Sequence, residues 1–412
     1  MKVALASYLW GPEMAAGAVV AAQRLAHGLC QSGDDVVVIS TGPEARLWIE
    51  QTAGMTVYRF RPRNLYWVQD KDSQPPWKKV LWQLGDVWNA HAFHVVRRIL
   101  EEERPDVLHV HKLRGLSPAV WSAADGLGIP IVQTCHDYEL MSPEGTLTGR
   151  VGDWASRGAW PLRWYSWLRS RWSGMVAAVT APSQYVLGVF RQRGFFSQAH
   201  WQVIPNSHGK SVDEVRKLGL PAAADSADTN PELRVLYLGR VEHNKGVDLL
   251  CAAFARCAES FPGIRLDIAG AGTLQSSLRQ QYASHRQIAF HGLVTGAKKD
   301  DLIAGADALV LPSTWPEVFG LAIVEGYACG KPAVVANVGG MPELVRDGET
   351  GMIVPTGDAG ALASVLARCS RDPTMLRRMS PACFLAAEAF AEEVVTERHR
   401  RLYARVVGGV DG

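Results

Sequence analysis

The chain contains two series of short apolar segments rich in β-branched residues, and helical patterns separate the segments within each series. The first series consists of 3–9, 34–41, 55–60, 106–111, 129–137, 176–182 and 201–205. The second consists of 234–240, 265–270, 288–292, 306–313, 332–336 and 350–355. Segments that are apolar throughout are typical of strands covered on both faces of a parallel sheet. We therefore predict an α/β protein with two doubly wound, Rossmann-like domains.

A polar segment separates the two series and predicts the domain boundaries. Residues 207–232 are rich in Ala, Asp and Pro, which suits a connector. We predict an N-terminal domain over 1–206, a C-terminal domain over 233–382, and a final helix within 383–412 that packs back toward the N-terminal domain. Ligands of such sheets bind beyond the carboxyl ends of the strands, and we expect the two domains to face each other across a cleft.

Composition excludes several classes of protein. Hydrophobic residues make up 47% of the 412 residues and charged residues 20%, which is typical of a globular chain. The net charge of +2 gives no argument for binding nucleic acid. The seven cysteines form no Cys-x-x-Cys pair, so we expect reduced thiols in a cytoplasmic protein. The N-terminal apolar run is too short for a signal peptide and predicts a first strand.

The segment 312–332 contains the most specific local pattern. Gly320 follows a buried strand and precedes a predicted short helix from about Leu321 to Cys329, whose N-terminus suits a phosphate. Glu317 precedes this helix and Glu325 lies inside it. A carboxylate at 325 can accept hydrogen bonds from a vicinal diol such as a ribose. The alternative is that the two glutamates only flank a surface helix.

Two cations follow the first strand of the second series. Arg240 and Lys245 are five residues apart in the segment 238–246. At a strand end they could stabilise a diphosphate leaving group as a glycosidic bond breaks. The alternative is a solvated loop, where Lys and Arg are common.

These segments together resemble glycosyltransferase family 4, a large retaining family with the GT-B fold. The resemblance consists of Gly-Arg-x4-Lys-Gly, Ala-Gly-x-Gly, the Glu-x7-Glu segment and GGMPELVRDGETG, in matching order from about 234 to 357. The first half is similar through a glycine loop after the first strand, DVLHVH, the pair His136-Asp137, and the tripeptides APS at 181–183 and IPN at 204–206. The resemblance thus covers nearly the whole chain.

The resemblance implies a role for each matching residue in the binding of a nucleotide-diphosphate sugar. Glu325 would hold the ribose, Glu317 the donor sugar at the reacting face, and Arg240 and Lys245 the diphosphate. His136 would lie beside the donor sugar. The remaining implied donor-binding positions are the loop glycine Gly17 and the backbone N–H groups of Phe319, Gly320 and Leu321.

Three positions depart from the family pattern. Val318 replaces the usual proline, Ala16 precedes Gly17 where paired glycines are common, and Ser207 replaces a glycine. None of these changes removes a charged group.

The segment after DVLHVH supplies candidates for the acceptor side. We interpret His109 as a packed histidine and His111, at the end of its strand, as a candidate for lining the acceptor cleft. Lys112 and Arg114 could meet an anionic acceptor. Asp137 either orients His136 or caps the next turn. No spacing supplies a third ligand to His109 and His111, so we predict no metal site.

Fourteen tryptophans are unusual, and they cluster at 67–88 and 154–172. Residues 150–172 contain five tryptophans and five arginines against one acid, and a helix starting near Pro161 would place Trp160, Trp164 and Trp167 on one face. Trp with Arg favours a membrane–water interface. The alternative is a helix whose tryptophans are buried against the first domain. The segment 64–88 presents the same two alternatives with less net charge.

The resemblance implies an enzyme that transfers a hexose from a nucleotide-diphosphate sugar to an acceptor hydroxyl with retention and requires no cofactor. We expect the acceptor to be a growing surface polysaccharide or a lipid-linked glycan, at the cytoplasmic face of an anionic membrane. The alternatives are transfer to a soluble small-molecule aglycone, a nucleotide-sugar epimerase, and a non-catalytic subunit that binds a sugar nucleotide.

Overall fold

The computed structural model describes residues 1–11, 16–44, 46–147, 160–219 and 233–409. The chain divides into two compact units. The first comprises Met1–Pro205 together with Val395–Gly412, and the second comprises Asn206–Val394. Each unit contains one sheet with helices around it, as the two series of apolar segments predict.

The sheet of the first unit has eight strands in the order β3-β4-β2-β1-β5-β6-β7-β8. Their bounds are β1 Lys2–Ser7, β2 Asp35–Thr41, β3 Trp48–Thr52, β4 Met55–Phe60, β5 Val107–Val110, β6 Ile131–Thr134, β7 Ala178–Ala181 and β8 His200–Val203. All neighbouring pairs are parallel except β3 with β4. The strand order reverses between β1 and β5.

The helices of the first unit that lie before residue 206 are α1 Gly17–Gln31, α2 Pro76–Gly85, α3 Ala90–Glu103, α4 Ala119–Asp125, α5 Trp160–Trp172 and α6 Gln184–Gln192. The apolar side of α1 packs on the sheet, since Val19, Leu25 and Leu29 are buried in one core cluster with strand residues of β1 and β2. The helical spacing of these residues therefore predicts the buried face correctly.

The sheet of the second unit is fully parallel, with six strands in the order β11-β10-β9-β12-β13-β14. Their bounds are β9 Arg234–Leu238, β10 Arg265–Ala269, β11 Ile288–Gly292, β12 Ala308–Leu311, β13 Ala333–Ala336 and β14 Gly351–Val354. In sequence order this arrangement is 3-2-1-4-5-6, the strand order of the Rossmann fold. The order reverses between β9 and β12.

The remaining helices are α7 Val212–Gly219, α8 Val247–Ser260, α9 Gln275–Gln281, α10 Gly296–Gly305, α11 Leu321–Tyr327, α12 Ala359–Arg371, α13 Thr374–Ala387 and α14 Glu392–Gly408. From Val395 onward, α14 belongs to the first unit. Val395, Leu402 and Tyr403 are buried in the same cluster as β1 and β2, and the Tyr403 hydroxyl is 2.7 Å from His109 Nδ1.

Three local features differ from the sequence prediction. The helix expected near 77–103 is two helices, because Asp86–Asn89 interrupts it and the Asn89 side chain accepts the N–H of Ala92 at the start of α3. Residues 383–394 belong to the second unit, where Cys383 and Ala387 of α13 pack against Ile323. The antiparallel edge strand β3 was not predicted.

The described part of the predicted connector is folded. The His208 side chain is buried and its Nε2 lies 3.0 Å from the carbonyl oxygen of Ala387. Val215 of α7 is buried in a cluster with Cys383. Residues 207–219 are therefore part of the second unit's packing, and residues 220–232 of the connector lie outside the described residues.

Candidate active site

The candidate donor site lies at the carboxyl ends of β9 and β12, where the strand order of the second sheet reverses. The segment after β9 contains Arg240 and Lys245, and the segment after β12 contains Ser313 and Glu317. Neighbouring parallel strands end at the same edge of a sheet, so the two segments meet. The Thr314 N–H donates to the carbonyl oxygen of Asn244 at 3.0 Å, and the Ser313 hydroxyl oxygen also lies 3.0 Å from that carbonyl oxygen.

Lys245 and Glu317 form the central ion pair of this site. Lys245 Nζ donates to Glu317 Oε1 at 2.6 Å, and the Ser313 hydroxyl donates to the same oxygen at 2.8 Å. The ammonium also lies 5.0 Å from the ring centroid of Trp315. Burial lowers the pKa of Lys245 and the Glu317 carboxylate partly offsets that effect. A cation and an anion are therefore held together at the strand ends with most of their surface covered.

Two glycines allow the backbone to approach closely around this pair. Gly246 has φ of 67°, and a Cβ there would lie 2.0 Å from the carbonyl oxygen of Pro312. Gly339 has φ of 64°, and a Cβ there would lie 2.3 Å from the carbonyl oxygen of Glu317. The Gly340 N–H donates to that same Glu317 oxygen at 2.7 Å. The Gly-Gly of 339–340 thus positions Glu317.

A second lysine–glutamate pair involves the predicted ribose residue. Glu325 lies in α11 and is 8% exposed, and Lys299 Nζ of α10 donates to its Oε1 at 2.9 Å. Lys299 was not predicted as a site residue, because it lies outside the sequence motifs that carry the family resemblance. Its only sequence signal is its position in the helix that follows β11.

The other predicted donor residues of the second unit also follow β12 or β9. Phe319 is buried, and its ring lies 6.1 Å from that of Phe390 in an edge-on arrangement. Gly320 is the residue before α11 and Leu321 is its first residue. Arg240 is exposed, and its carbonyl oxygen accepts from the Tyr237 hydroxyl. The structure therefore brings Arg240, Lys245, Glu317 and the start of α11 to one edge of the sheet.

The candidate residues of the first unit follow β5 and β6, which are neighbours in its sheet. His136 Nε2 is 2.9 Å from His111 Nδ1, and the two rings are stacked with centroids 5.2 Å apart. The partly buried position of His136 and the nearby Lys112 lower the pKa of His136 to about 3. Burial also lowers the pKa of His111. Both imidazoles are therefore neutral at pH 7, so one ring can donate a hydrogen bond that the other accepts.

His109 has the packed role that its alternation on the strand suggests. It is fully buried, with Nδ1 2.7 Å from the Tyr403 hydroxyl and Nε2 2.7 Å from the Thr134 hydroxyl. Both ring nitrogens thus have partners inside the first unit.

Lys112 is buried between two carboxylates of its own unit. Its ammonium contacts Asp137 and lies 3.2 Å from Glu139 Oε2. Burial opposes the charged form, but Asp137 and Glu139 outweigh it and raise the pKa of Lys112. Asp137 Oδ1 also accepts the N–H of Glu139 at 2.9 Å, so it caps the turn that follows β6. A role for Lys112 toward an anionic acceptor stays a prediction.

The other first-unit candidates are Arg114 and Gly17. Arg114 Nη2 donates to the carbonyl oxygen of Pro143 at 3.0 Å. Gly17 is the first residue of α1, the helix that follows β1, and residues 12–15 of its loop lie outside the described residues. Glu139 was missed from the sequence, although it lies only two residues after Asp137.

Two absences concern the described part of the chain. It contains no group of three or more His, Cys, Asp or Glu side chains placed to hold a metal ion. None of its helices combines the length and the apolar character needed to cross a bilayer.

Two doubly wound units, each with its own sheet, agree with the architecture of GT-B glycosyltransferases. Two family models match the chain: Glycosyltransferase Family 4 over residues 15–207, and Glycosyl transferases group 1 over residues 224–383. The chain belongs to glycosyltransferase family 4 and is a GT-B glycosyltransferase.

Named relatives and a solved structure agree with this assignment. The glycogen synthase of Mycobacterium tuberculosis is 32% identical over 68% of this chain and 63% of that protein. The phosphatidyl-myo-inositol mannosyltransferase of Mycobacterium leprae is 29% identical over 76% of each chain. The crystal structure of Anabaena Alr3699/HepE in complex with UDP and glucose has a TM-score of 0.70 at 20% identity, covering 98% of this chain and 99% of that one, which shows a common fold.

Proposed function

We propose that this chain is a retaining hexosyltransferase that moves a sugar from a nucleotide-diphosphate sugar to an acceptor hydroxyl. The main supporting observation is the ion pair of Lys245 with Glu317 at the point where the strand order of the second sheet reverses, 2.6 Å between Nζ and Oε1. In this proposal the cation stabilises the diphosphate and the neighbouring anion accepts hydrogen bonds from sugar hydroxyls.

The second unit binds the donor in this proposal. Glu325 accepts hydrogen bonds from the ribose hydroxyls, a charge-assisted type of bond that contributes about 1.5–3 kcal/mol. Lys245 and Arg240 stabilise the diphosphate, and Glu317 holds hydroxyls of the transferred sugar. The backbone N–H groups of 319–321 face the sugar and the distal phosphate. The 2.9 Å contact of Lys299 with Glu325 supports this assignment, because it fixes the position of the carboxylate.

The reaction breaks the bond between the anomeric carbon and the leaving phosphate oxygen and forms a bond from that carbon to the acceptor oxygen on the same face. The acceptor proton passes to the departing phosphate oxygen, so no protein nucleophile is needed. Charge that develops on the diphosphate is stabilised by Lys245 and Arg240. These two cations supply the positive charge, and the reaction requires no cofactor or metal ion.

The first unit binds the acceptor in this proposal, and Gly17, the first residue of α1, is a further donor-binding position. His136, held by His111 at 2.9 Å and neutral at pH 7, serves as a hydrogen-bonding group beside the donor sugar. His111, Lys112 and Arg114 belong to the acceptor side. We propose a growing surface polysaccharide or a glycolipid as the acceptor, reached from the cytoplasm by a protein that associates peripherally with the membrane. The names of two relatives, a glycogen synthase and a phosphatidyl-myo-inositol mannosyltransferase, support these two classes of acceptor.

A thermal-shift screen across nucleotide-diphosphate sugars, followed by product analysis, tests the proposal. A donor that binds the native state raises the apparent stability by mass action. We then expect transfer to a glycan acceptor in which the new linkage has the anomeric configuration of the donor, as measured by NMR. An inverted product, an isomerised free nucleotide sugar, or binding with no transfer to any glycan or lipid acceptor would overturn the assignment.

A further inference from the structure

The first unit has an apolar helix face that is exposed to solvent. On α2, Trp77 and Val80 are each 61% exposed, Leu81 46% and Leu84 55%. These positions follow the i, i+3, i+4, i+7 pattern, so they form one continuous stripe along the helix. The opposite side is the packed one, since Trp82 is 3% exposed and its indole N–H donates to the carbonyl oxygen of Tyr66. The apolar side of α2 therefore faces solvent.

The helix α5 also exposes aromatic side chains. Trp164 is 48% and Trp167 53% exposed, whereas Tyr165 and Arg169 are buried. The helix is thus anchored through its 165/169 side. The stripe that the sequence predicts is exposed at the two tryptophans whose side chains are described.

A buried contact connects the two helices. Arg169 Nη2 of α5 donates to the carbonyl oxygen of Asp86, the residue after α2, at 2.9 Å, and lies 3.6 Å from the Asp86 carboxylate. Asp86 Oδ1 in turn accepts the N–H of Gly115 at 3.0 Å. The end of α2 and the middle of α5 are therefore held at fixed positions on the first unit.

The charges of the two helices indicate what covers them. Neither helix contains an acid, and together they contain Lys78, Lys79, Arg163, Arg169 and Arg171. Lys78 Nζ lies 5.7 Å from the ring centroid of Trp77, and the Arg171 guanidinium lies 5.5 Å from that of Trp167. Tryptophan beside a long cationic side chain is typical of segments that insert at the lipid headgroup level. The nearest acids before α2, Asp70 and Asp72, lie in the preceding turn.

We infer that the exposed faces of α2 and α5 form one docking surface for an anionic lipid bilayer. This surface, the α2–α5 face, consists of Trp77, Val80, Leu81, Leu84, Trp164 and Trp167 with Lys78, Lys79, Arg163 and Arg171. It rests on the proposed function in that a lipid-linked acceptor is presented at such a bilayer. The apolar stripe enters the boundary between headgroups and acyl chains, and the cations contact lipid phosphates. The principal apolar contribution comes from α2.

Flotation of the full chain with vesicles tests the inference. We expect binding to phosphatidylcholine vesicles that contain phosphatidylglycerol, weaker binding at high salt, and little binding to phosphatidylcholine alone. The variant Leu81→Ser/Leu84→Ser should bind at least tenfold more weakly, because burial of the two half-exposed leucines together contributes roughly tenfold or more. Lys78→Glu/Lys79→Glu should weaken binding by about fivefold or more for each charge and reduce the salt dependence.

A matched control replaces two other leucines that are more exposed than Leu81 and Leu84. Leu293 and Leu385 of the second unit are 64% and 66% exposed, and Leu293→Ser/Leu385→Ser should bind vesicles as the wild type does. Thermal melting of each variant shows whether it remains folded. Because the serine changes are at exposed positions, we expect melting temperatures close to that of the wild type.

The inference is overturned if the wild-type chain does not float with anionic vesicles at low salt, or if the Leu81→Ser/Leu84→Ser variant floats like the wild type. It is also overturned if the wild type is a dimer that these α2 changes dissociate, because a second copy of the chain would then cover the α2–α5 face. The variant Glu325→Ala distinguishes a failure of the membrane inference from a failure of the proposed function. It should lose donor affinity yet float normally, whereas the α2 variant should keep donor affinity and lose flotation.

Discussion

Lys245 and Glu317 are 72 positions apart in the chain, yet Lys245 Nζ lies 2.6 Å from Glu317 Oε1. Their proximity depends on the backbone at Gly246, where the turn after Lys245 lies against Pro312 at the end of β12. The geometry of the ion pair thus depends on Gly246, which lies outside the pair and has no contact with the donor in our proposal.

Replacing Gly246 with alanine should therefore destabilise the second unit and weaken the donor site. A Cβ would lie 2.0 Å from the Pro312 oxygen at a positive φ, so the two segments must separate or the backbone must change conformation. We expect a loss of at least about 1 kcal/mol in unfolding free energy, measured by urea denaturation. Gly263→Ala is the control, because a Cβ there meets nothing within 4 Å. Equal stability of the two variants would contradict the role of Gly246.

Glu325→Ala should weaken donor binding. Loss of a charge-assisted acceptor costs about 1.5–3 kcal/mol, which is roughly 10–150-fold in affinity, measured by calorimetry with the nucleoside diphosphate. The matched control is Glu349→Ala, which breaks a surface ion pair with Arg346 in which both side chains are 53% exposed. That change should leave the affinity unaltered. Unchanged affinity in a folded Glu325→Ala protein would remove Glu325 from the ribose site.

Lys245→Ala and Arg240→Ala should lower turnover more than they weaken the binding of UMP or GMP. Binding energy that develops only as the glycosidic bond breaks affects kcat rather than ground-state affinity. Transfer rate and nucleotide affinity are measured in parallel for each variant. Lys298→Ala is the control, because Lys298 is an exposed lysine of α10. A parallel fall of rate and affinity would mean that these side chains only hold the nucleotide.

The first unit should lose stability in acid because of its buried histidines. Burial lowers the pKa of His399 to about 4, and burial together with Lys112 lowers the pKa of His136 to about 3, below the ordinary value of 6.5. The unfolded chain therefore binds more protons than the folded one below pH 6.5, and the unfolding free energy falls as the pH is lowered. For His399 the fall is about 1.4 kcal/mol per pH unit until the pH approaches 4.

Urea unfolding of His399→Gln between pH 6.5 and pH 4 measures this contribution. The variant should show a shallower loss of stability with acid than the wild type, whatever its stability at pH 7. His94→Asn changes an exposed histidine of the same unit and should keep the wild-type slope. An unchanged slope in His399→Gln would mean that this histidine is not a source of the acid sensitivity.

The sequence predicts the sheets well because their strands are buried on both faces. Each predicted apolar segment overlaps one observed strand, and the six strands of the second series lie in the Rossmann order. The strand β3 was missed because Trp48 and Ile49 are more than half exposed, so it has neither a buried run nor a clear alternation. An antiparallel edge strand of this kind depends on pairing with β4, which local sequence does not encode.

The candidate site could be predicted only where a pattern is contiguous. The two glutamates of the Glu-x7-Glu segment and the cations after β9 lie in short recognisable segments. Lys299 contacts Glu325 from a different helix, and Glu139, after β6, contacts Lys112, after the neighbouring strand β5. Both contacts therefore depend on tertiary packing. The tryptophan segments illustrate the same limit. Helical spacing places Trp164 and Trp167 on one face of the helix. The burial of Tyr165 and Arg169, which local sequence does not predict, leaves that face exposed to solvent.

The first unit is discontinuous in the chain, since Val395 and the rest of α14 return to it after the whole second unit. During synthesis on a ribosome, Tyr403, whose hydroxyl lies 2.7 Å from His109 Nδ1, emerges only after the whole second unit. Part of the interior of the N-terminal sheet therefore stays uncovered while about 190 further residues are added, at about 5–20 residues per second. Chaperones that recognise apolar surface have a window of roughly ten seconds or more to act on this intermediate.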